Sequence, residues 1–451
     1  MANDKKIVVR FPPSPTGFLH MGNARTLLFN YLFAKQNNGK IVFRLEDTDK
    51  ERSKEEYAQD IIDNLKWLGI EPDSLVAIKQ SERGGIYKKY LEKMISEGRA
   101  YFSKETVVEE GQRDQVIRFK NPNKKIVFND LIRGDIEFDT TELKDFIIAK
   151  SLEEPVYHLA VVVDDYEMGV SHIIRGDDGI SNTPRQILIQ EAIGAPRPVY
   201  AHLPLILAED RTKLSKRKHG EKVSVTFYRN AGYLPEAVIN FLALIGWNPG
   251  DEREIFSKEE LIKEFSLEKI QKGGGIFNVE RLNWYNREYI KKLPIKDLEN
   301  RVAEELKIQD EVFVKKITPI IADRINKYSD IKELERGELS FFFKEIEYAK
   351  EMLLWKPASP AGGKEPDLIK TKKHLEEVVK FLSGLDENEF NQDKIKEAIW
   401  TYAEKEGKGN VLWPMRVALT GLDKSPDPFA VAGVFGKNKT IQRLNYAIGK
   451  I

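Results

Sequence analysis

Apolar positions change period in a regular way over the first half of the chain. Residues 6–11 form a β-branched apolar run, and 24–36 carry Leu27, Leu28, Tyr31 and Leu32 at helical spacing before Gly39. Residues 40–46 then alternate through Ile41, Phe43 and Leu45. The pattern reads strand, helix, strand. Ser53 and Glu56 have the spacing of a capping box, opening a helix that runs to Trp67 and stops at Gly69. Short connections between such elements imply a right-handed parallel unit. A second block starts at Tyr157, with 159–164 read as a buried strand and 171–175 as another. A helix over 183–193 ends at Gly194, and 199–207 reads as a further strand. Between the blocks, residues 100–150 break into short strands (116–119, 126–128, 146–149) split by Asn-Pro-Asn and Arg-Gly-Asp turns.

From Ser224 onward the pattern is almost wholly helical. A helix over 235–246 begins with proline and ends with glycine. Ser257 and Glu260 form a second capping box, and residues 356–367 (KPASPAGGKEPD) read as a flexible stretch between two helical parts. The predicted fold is α/β, a split Rossmann-type parallel sheet (1–99 with 151–210) holding an inserted α+β subdomain (100–150). An all-α C-terminal half follows, as a helical domain at 211–294 and two helical subdomains at 295–365 and 366–451. No internal repeat is present.

A length of 451 residues suits two to four domains. Lys+Arg and Asp+Glu both total 72, so any nucleic-acid surface must be a local patch. There is no cysteine, which excludes disulfides and thiolate metal sites. The six histidines (20, 158, 172, 202, 219 and 374) lack metal-ligand spacing, so no protein-held metal and no zinc are expected. Residues 1–10 are polar, and no apolar run approaches the eighteen or so residues of a membrane span. The expectation is a soluble cytoplasmic protein with no membrane contact.

Two segments carry most of the candidate chemistry. The first is Arg10-Phe11-Pro12-Pro13-Ser14-Pro15-Thr16-Gly17-Phe18-Leu19-His20-Met21-Gly22-Asn23, a strand, a turn and a helix N-terminus. Unpaired N–H groups at a helix N-terminus suit phosphate, and imidazole there can donate to phosphoryl oxygens. Gly22 lets a flat base approach the backbone. Alone, His20 and Gly22 read more readily as a capping histidine and a turn glycine; the fourteen-residue context reverses that. The second segment is Lys213-Leu214-Ser215-Lys216-Arg217, a cationic loop after the last strand of the α/β half, where ligands of such sheets bind. Alone it reads as a solvated basic loop. Displacement at a phosphate needs positioning and charge stabilisation more than a proton acceptor, which such lysines supply. Glu46, in Arg44-Leu45-Glu46-Asp47-Thr48-Asp49, ends a strand and can hold an ammonium, whereas Asp47–Asp49 read as a side-chain turn.

Together the two segments resemble the signature motifs of class I aminoacyl-tRNA synthetases, and the Pro-Ser-Pro-Thr-Gly lead-in resembles bacterial-type glutamyl-tRNA synthetases. Tyr157-His158-Leu159-Ala160, Ile174-Arg175-Gly176-Asp177-Asp178 and Phe128-Asn129-Asp130-Leu131-Ile132-Arg133-Gly134 are similar to further family stretches. The resemblance implies ATP-dependent, Mg²⁺-assisted activation of L-glutamate to glutamyl-adenylate, then transfer to the 3′-terminal ribose of tRNA(Glu). It implies catalytic roles for His20, Lys213 and Lys216, with Gly22, Asn23 and Ser215 also at ATP. It puts Arg175 on the α-carboxylate, Arg10 with Tyr157 on the side-chain carboxylate, and Glu46 with the Pro12–Ser14 turn on the ammonium. It also implies that tRNA must be bound before activation, that residues 100–150 take the acceptor stem, and that the C-terminal half reads the anticodon, with Arg324 and Arg416 there. A monomer is expected.

Two departures stand out. The resemblance also puts Val161 in the glutamate pocket, at a place where the family often has asparagine, and Gly179 stands where a larger residue is common. The cysteine knuckle many relatives carry after the Ala-Tyr matching Ala100-Tyr101 is missing. Four rivals are a glutaminyl enzyme, a truncated paralogue modifying a tRNA base, an inactive tRNA binder and a small-molecule nucleotidyltransferase. The glutaminyl enzyme usually has Pro-Glu-Pro-Asn-Gly and a β-barrel anticodon region. The paralogue and the nucleotidyltransferase would not need a helical C-terminal half, and an inactive binder would be expected to have lost His20 or Lys216.

Overall fold

A computed structural model describes residues 6–105, 114–355 and 367–451; most of the stretch predicted as flexible, 356–366, lies outside them, as does 106–113 of the insertion. The chain divides into two compact units, Met1–Asn286 and Arg287–Ile451.

In the first unit the chain runs β1 (Val8–Phe11), α1 (Met21–Gln36), β2 (Lys40–Leu45), α2 (Glu55–Leu68) and β3 (Ile78–Lys79). All three strands are parallel, in the order β1-β2-β3. Helix α1 buries Leu27, Leu28 and Leu32 completely, at about 1.5–3 kcal/mol each. It is covered on nearly all faces, and even Arg25 and Asn30 are enclosed. Gly39 permits the turn into β2, because a Cβ there would stand 2.8 Å from the Ile7 carbonyl.

After α3 (Gly84–Ser96) come β4 (Ala100–Lys104), β5 (Gln115–Phe119), the hairpin β6 (Lys125–Asp130) with β7 (Gly134–Asp139), then β8 (Phe146–Ser151) and β9 (Glu154–Pro155). Strands β4, β5, β8 and β9 form an antiparallel sheet. The hairpin instead joins β10 (His172–Gly176) and β11 (Val199–Leu203), in the order β10-β11-β6-β7. Tyr200 opposite Asp130 is the contact that unites them. Ser171 bonds Val8 with its N–H at 2.9 Å and accepts from the Val8 N–H on its hydroxyl, which sets β10 beside β1. The two parallel strand sets therefore meet at β1 and β10. Open α/β sheets bind ligands at such a junction, outside the strands' carboxyl ends.

Three local expectations are corrected. Residues 159–164 are not a strand but the middle of α4 (Tyr157–Glu167), buried without interruption from Leu159 to Asp165. A short apolar run fits a fully buried helix as well as a buried strand. Helical winding lets the neighbours Asp164 and Asp165 both reach Arg44, from 3.7 and 2.9 Å, which opposite faces of a strand would not. The Ser53–Glu56 box does not form: α2 starts after Lys54 without a side-chain cap, and the Ser53 N–H is spent on the Asp49 carbonyl. The second signature segment is also more ordered than an open loop. Leu214 bonds back to Ile206 at 3.0 Å and Lys216–His219 make one helical turn.

The other punctuation is where the pattern put it. Gly69 and Gly194 end α2 and α5 (Thr183–Ile193) in the left-handed conformation, and Ser257 with Glu260 makes both capping-box bonds. The helix Pro235–Leu244 stops before Gly246, which has φ +90. The second unit is helical, from Ile295–Leu306 through Pro428–Lys450. Its described elements include no strand.

Candidate active site

A cavity of about 620 Å³ is walled by the ends of β1 and β10, the Pro-rich turn, the start of α1 and the second signature segment. It gathers Arg10, Pro12, Ser14, His20, Gly22, Asn23, Glu46, Tyr157, Arg175, Lys213, Ser215 and Lys216. Backbone bonds lock this assembly. The Glu46 N–H donates to the Pro13 carbonyl (3.0 Å), and Val225 N–H to the Leu19 carbonyl (2.9 Å). Asp60 on α2 accepts from the Leu19 N–H (2.8 Å) and from the Thr226 hydroxyl, clamping the first motif to the chain just beyond the second.

On the side of the two signature segments His20 is the N-cap of α1, with an extended backbone. Its Nδ1 accepts the Gly22 N–H at 2.9 Å, so in the neutral ring Nε2 carries the proton. Burial, then the charges of Lys213 and His219, pull its pKa down to about 4. At neutral pH it is an uncharged N–H donor. Lys213 Nζ pairs with Asp178 at 2.8 Å, both exposed, and Lys216 Nζ lies 5.4 Å from the centre of the Phe18 ring. Arg25 underlies this side, its two terminal nitrogens donating to the carbonyls of Ile245 (3.1 Å) and Pro204 and its Nε without a partner, and burial lowers it to about 10.

The opposite wall is a buried charge network. Arg44, fully enclosed, reaches Asp165 at 2.9 Å and Glu46 at 3.1 Å, and Arg10 shares Asp165 at 3.5 Å. Asp164 turns the other way, to Arg83 at 2.7 Å, Gln80 and Tyr87. Burial raises the Glu46 carboxyl, opposed by Arg44. Arg175 differs from the other arginines here. It is 8% exposed, and among the described residues no carboxylate lies within ion-pair distance of it. Its Nε donates to His202 (3.1 Å), one terminal nitrogen to the Gly179 carbonyl (3.0 Å) and Thr183 (2.7 Å), and the other, Nη1, has no partner. A buried guanidinium with an unused donor on a cavity wall has the chemistry to take a carboxylate.

Not every expected residue reaches the cavity. Val161 sits on α4 in the apolar core at 2% exposure and is not on the wall. Arg324 spends its donors on Glu338 (2.9 Å) and the Ile320 carbonyl, Arg416 on Ser425 and the Pro426 carbonyl. Asp49 makes a local turn with Arg52, but Asp47 does not: its carboxylate accepts from the Ser81 N–H and hydroxyl, 34 positions along the chain. Sequence reasoning assigned no role to Arg25, Asp165, Asp178 or His202. For Asp165 and Asp178 the visible signal was charge just after an apolar run; Arg25 and His202 had none.

A parallel sheet with a His-x-Gly corner and a lysine-bearing segment on one cavity defines a class I synthetase catalytic domain. Residues 6–110 and 103–284 match the family described as tRNA synthetases class I (E and Q), catalytic domain, and 279–448 match the anticodon binding domain. Glutamate–tRNA ligase 1 of Petrotoga mobilis is 40% identical over 98% of this chain and 97% of its own. Glutamate–tRNA ligase of Aquifex aeolicus is 40% identical over 99% of each. The crystal structure of a glutamate tRNA ligase from Elizabethkingia meningosepticum, in complex with its amino acid, superposes with a TM-score of 0.85 at 33% identity, covering 98% of this chain and 99% of that one. The chain belongs to the glutamate–tRNA ligase family.

Proposed function

We propose that L-glutamate binds with its α-carboxylate on Arg175, its ammonium on Glu46 and the Pro12–Ser14 turn, and its side-chain carboxylate on Arg10 and Tyr157. The observation that carries this reading is Arg175, a buried cation whose Nη1 has no partner, on the wall of the cavity that also holds both signature segments. The α-carboxylate oxygen attacks the α-phosphorus of ATP, the α–β anhydride breaks, and pyrophosphate leaves. A carboxylate nucleophile has no proton to lose, so the protein's work is charge stabilisation. His20 Nε2–H donates to the phosphoryl group, and Lys213 and Lys216 leave Asp178 and Phe18 to neutralise the triphosphate. Gly22, Asn23 and Ser215 line the nucleotide's berth.

The ribose hydroxyl at the 3′ end of tRNA(Glu) then attacks the acyl carbon and AMP departs. Magnesium prefers several oxygen ligands. The cavity wall offers only Glu46 and Asp178 as carboxylates, each already paired, and no group of three potential ligands occurs among the described residues. Mg²⁺ thus arrives on ATP's own phosphates. Glutamine in place of glutamate leaves the charge of Arg10 partly unmatched, a loss of about 2–4 kcal/mol.

The reading extends to a monomer working in the cytoplasm, with residues 100–150 on the acceptor stem and the helical half on the anticodon. Support for the last comes from the match over 279–448. Arg324 and Arg416 would have to exchange their internal acceptors for RNA. No described helix is long and apolar enough to cross a membrane. The test is ATP-dependent attachment of labelled glutamate, with labelled glutamine in parallel, to purified glutamate and glutamine tRNAs. Glutamate on the glutamate tRNA is expected. Binding of tRNA with no charging, or glutamine charged in preference, defeats the reading. Pyrophosphate exchange is expected only when tRNA is present.

A further inference from the structure

We infer that His202, held by Asp130 and facing Arg175 across the space that Gly179 leaves open, is a positioning residue that sets the carboxylate specificity of the amino-acid pocket. This rests on the reading of Arg175 as the α-carboxylate receptor. Asp130 and His202 are 1% and 0% exposed, and neither is on the cavity wall. Asp130 Oδ2 lies 2.6 Å from His202 Nδ1 and 3.0 Å from the His202 backbone N–H, while Oδ1 accepts the Ile132 and Arg133 N–H groups. An ionised carboxylate only accepts, so Nδ1 carries the proton. Burial, which raises Asp130, is outweighed by the bond from His202 and the two backbone donors, and its pKa falls. Burial lowers His202 despite the Asp130 bond. The ring is therefore neutral, and its Nε2 lone pair faces Arg175 Nε at 3.1 Å.

This arrangement solves a specific problem. A carboxylate set directly against Arg175 would orient it but would also neutralise it, and an α-carboxylate would gain little by binding there. The imidazole transfers direction from Asp130 without transferring charge. Arg175 is then oriented by three neutral acceptors, His202 Nε2, the Gly179 carbonyl and Thr183 Oγ1, and its charge stays available. Orienting partners that act one residue back from a reacting or coordinating group work in this way at metal and catalytic sites. Gly179 is needed for the geometry. A Cβ there would stand 2.5 Å from Arg175 Nε and 2.8 Å from its Cδ, so any side chain forces the arginine off this path. The anchor, Asp130, ends the hairpin strand β6, so a segment outside the split sheet's own strand–helix units supports the amino-acid pocket.

The test measures aminoacylation at saturating tRNA, with KM for glutamate and for ATP taken separately, beside thermal melts. His202→Asn keeps a donor for Asp130 but loses the acceptor that reaches Arg175. It is expected to raise KM for glutamate about tenfold, with KM for ATP and the melting temperature unchanged. His202→Gln restores an acceptor at the Nε2 position and should stay within about threefold of wild type. Gly179→Ala should raise KM for glutamate as His202→Asn does. Wild-type kinetics in His202→Asn, or both KM values rising together with a fall in melting temperature, overturn the proposal. Wild-type glutamate KM in Arg175→Lys would instead remove Arg175 from the α-carboxylate and leave the function to be reassigned.

Discussion

The two sides of the cavity are built on opposite plans. The amino-acid wall is largely enclosed, and its arginines are fixed by several partners each, Arg44 by three carboxylates and Arg175 by three neutral acceptors. The nucleotide side relies on exposed lysines resting on weak partners, Asp178 and Phe18. An exposed ion pair contributes about 0–1 kcal/mol, whereas leaving a buried charge without its partner costs about 3–5 kcal/mol. On the proposed reading the enclosed wall can therefore select an amino acid, because a misfit there is expensive, while the lysines can move onto a triphosphate at little cost. Recognition of one amino acid among twenty needs the first property. Charge stabilisation that appears only as pyrophosphate leaves needs the second.

That contrast breaks most sharply at Arg175. Replacing it by leucine removes a buried cation that has no carboxylate partner among the described residues, and kcat/KM for glutamate should fall on the order of 10³, with KM for ATP little changed. Steady-state aminoacylation checks this, and a comparable rise in both KM values would deny the division of the cavity. Lys216→Ala probes the other side. Adenylate formation should drop by roughly 10²–10³ while tRNA binding is retained. Unchanged single-turnover adenylate formation would take Lys216 out of the chemistry.

The same contrast decides what was legible in the sequence. The nucleotide side was readable because its residues are contiguous: His20 and Gly22 share one turn, and Lys213 and Lys216 one segment. The amino-acid wall is assembled from β1, β2, α4, β10 and β11, so its determinants lie up to about two hundred positions apart. Glu46, Tyr157 and Arg175 came from resemblance; Asp130 lay in a resembling stretch with no role attached, Asp165 showed only as a charge after an apolar run, and His202 had no local signature. Val161 misled for the same reason that residues 159–164 did. A run of Val and Leu carries no period, so whether a residue faces a pocket or a core depends on winding that the pattern leaves ambiguous. Gly179, a departure from the family pattern, found its explanation only in the position of Arg175.

A milder change sharpens the picture of the lysines. Asp178→Asn removes the resting partner of Lys213, and because that pair is exposed the rate of adenylate formation should change by less than about fivefold. A loss beyond tenfold would mean that Asp178 itself touches ATP or its magnesium.

The smallest expected effect concerns acid. His20 has its pKa lowered to about 4, and its Nδ1 is occupied by the Gly22 N–H. An ordinary histidine, near 6.5, would change charge within the working range, but this one stays neutral down to about pH 4. Protonation at Nδ1 would break the cap on α1 and place a second N–H beside Gly22, so the proposed role of His20 needs the neutral ring. KM for ATP should therefore be flat from pH 8 to about 5.5, with no limb near 6.5 that disappears in His20→Gln. Stability follows the opposite course. Between about 6.5 and 4 the unfolded chain takes a proton at this histidine and the folded chain does not, so acidification through that window favours unfolding. The melting temperature of wild type should fall more over that window than that of His20→Gln. An ATP affinity that tracks a group near 6.5, lost in His20→Gln, would show that the imidazole acts as a cation and that the nucleotide side is organised by its charge and not by its neutral N–H.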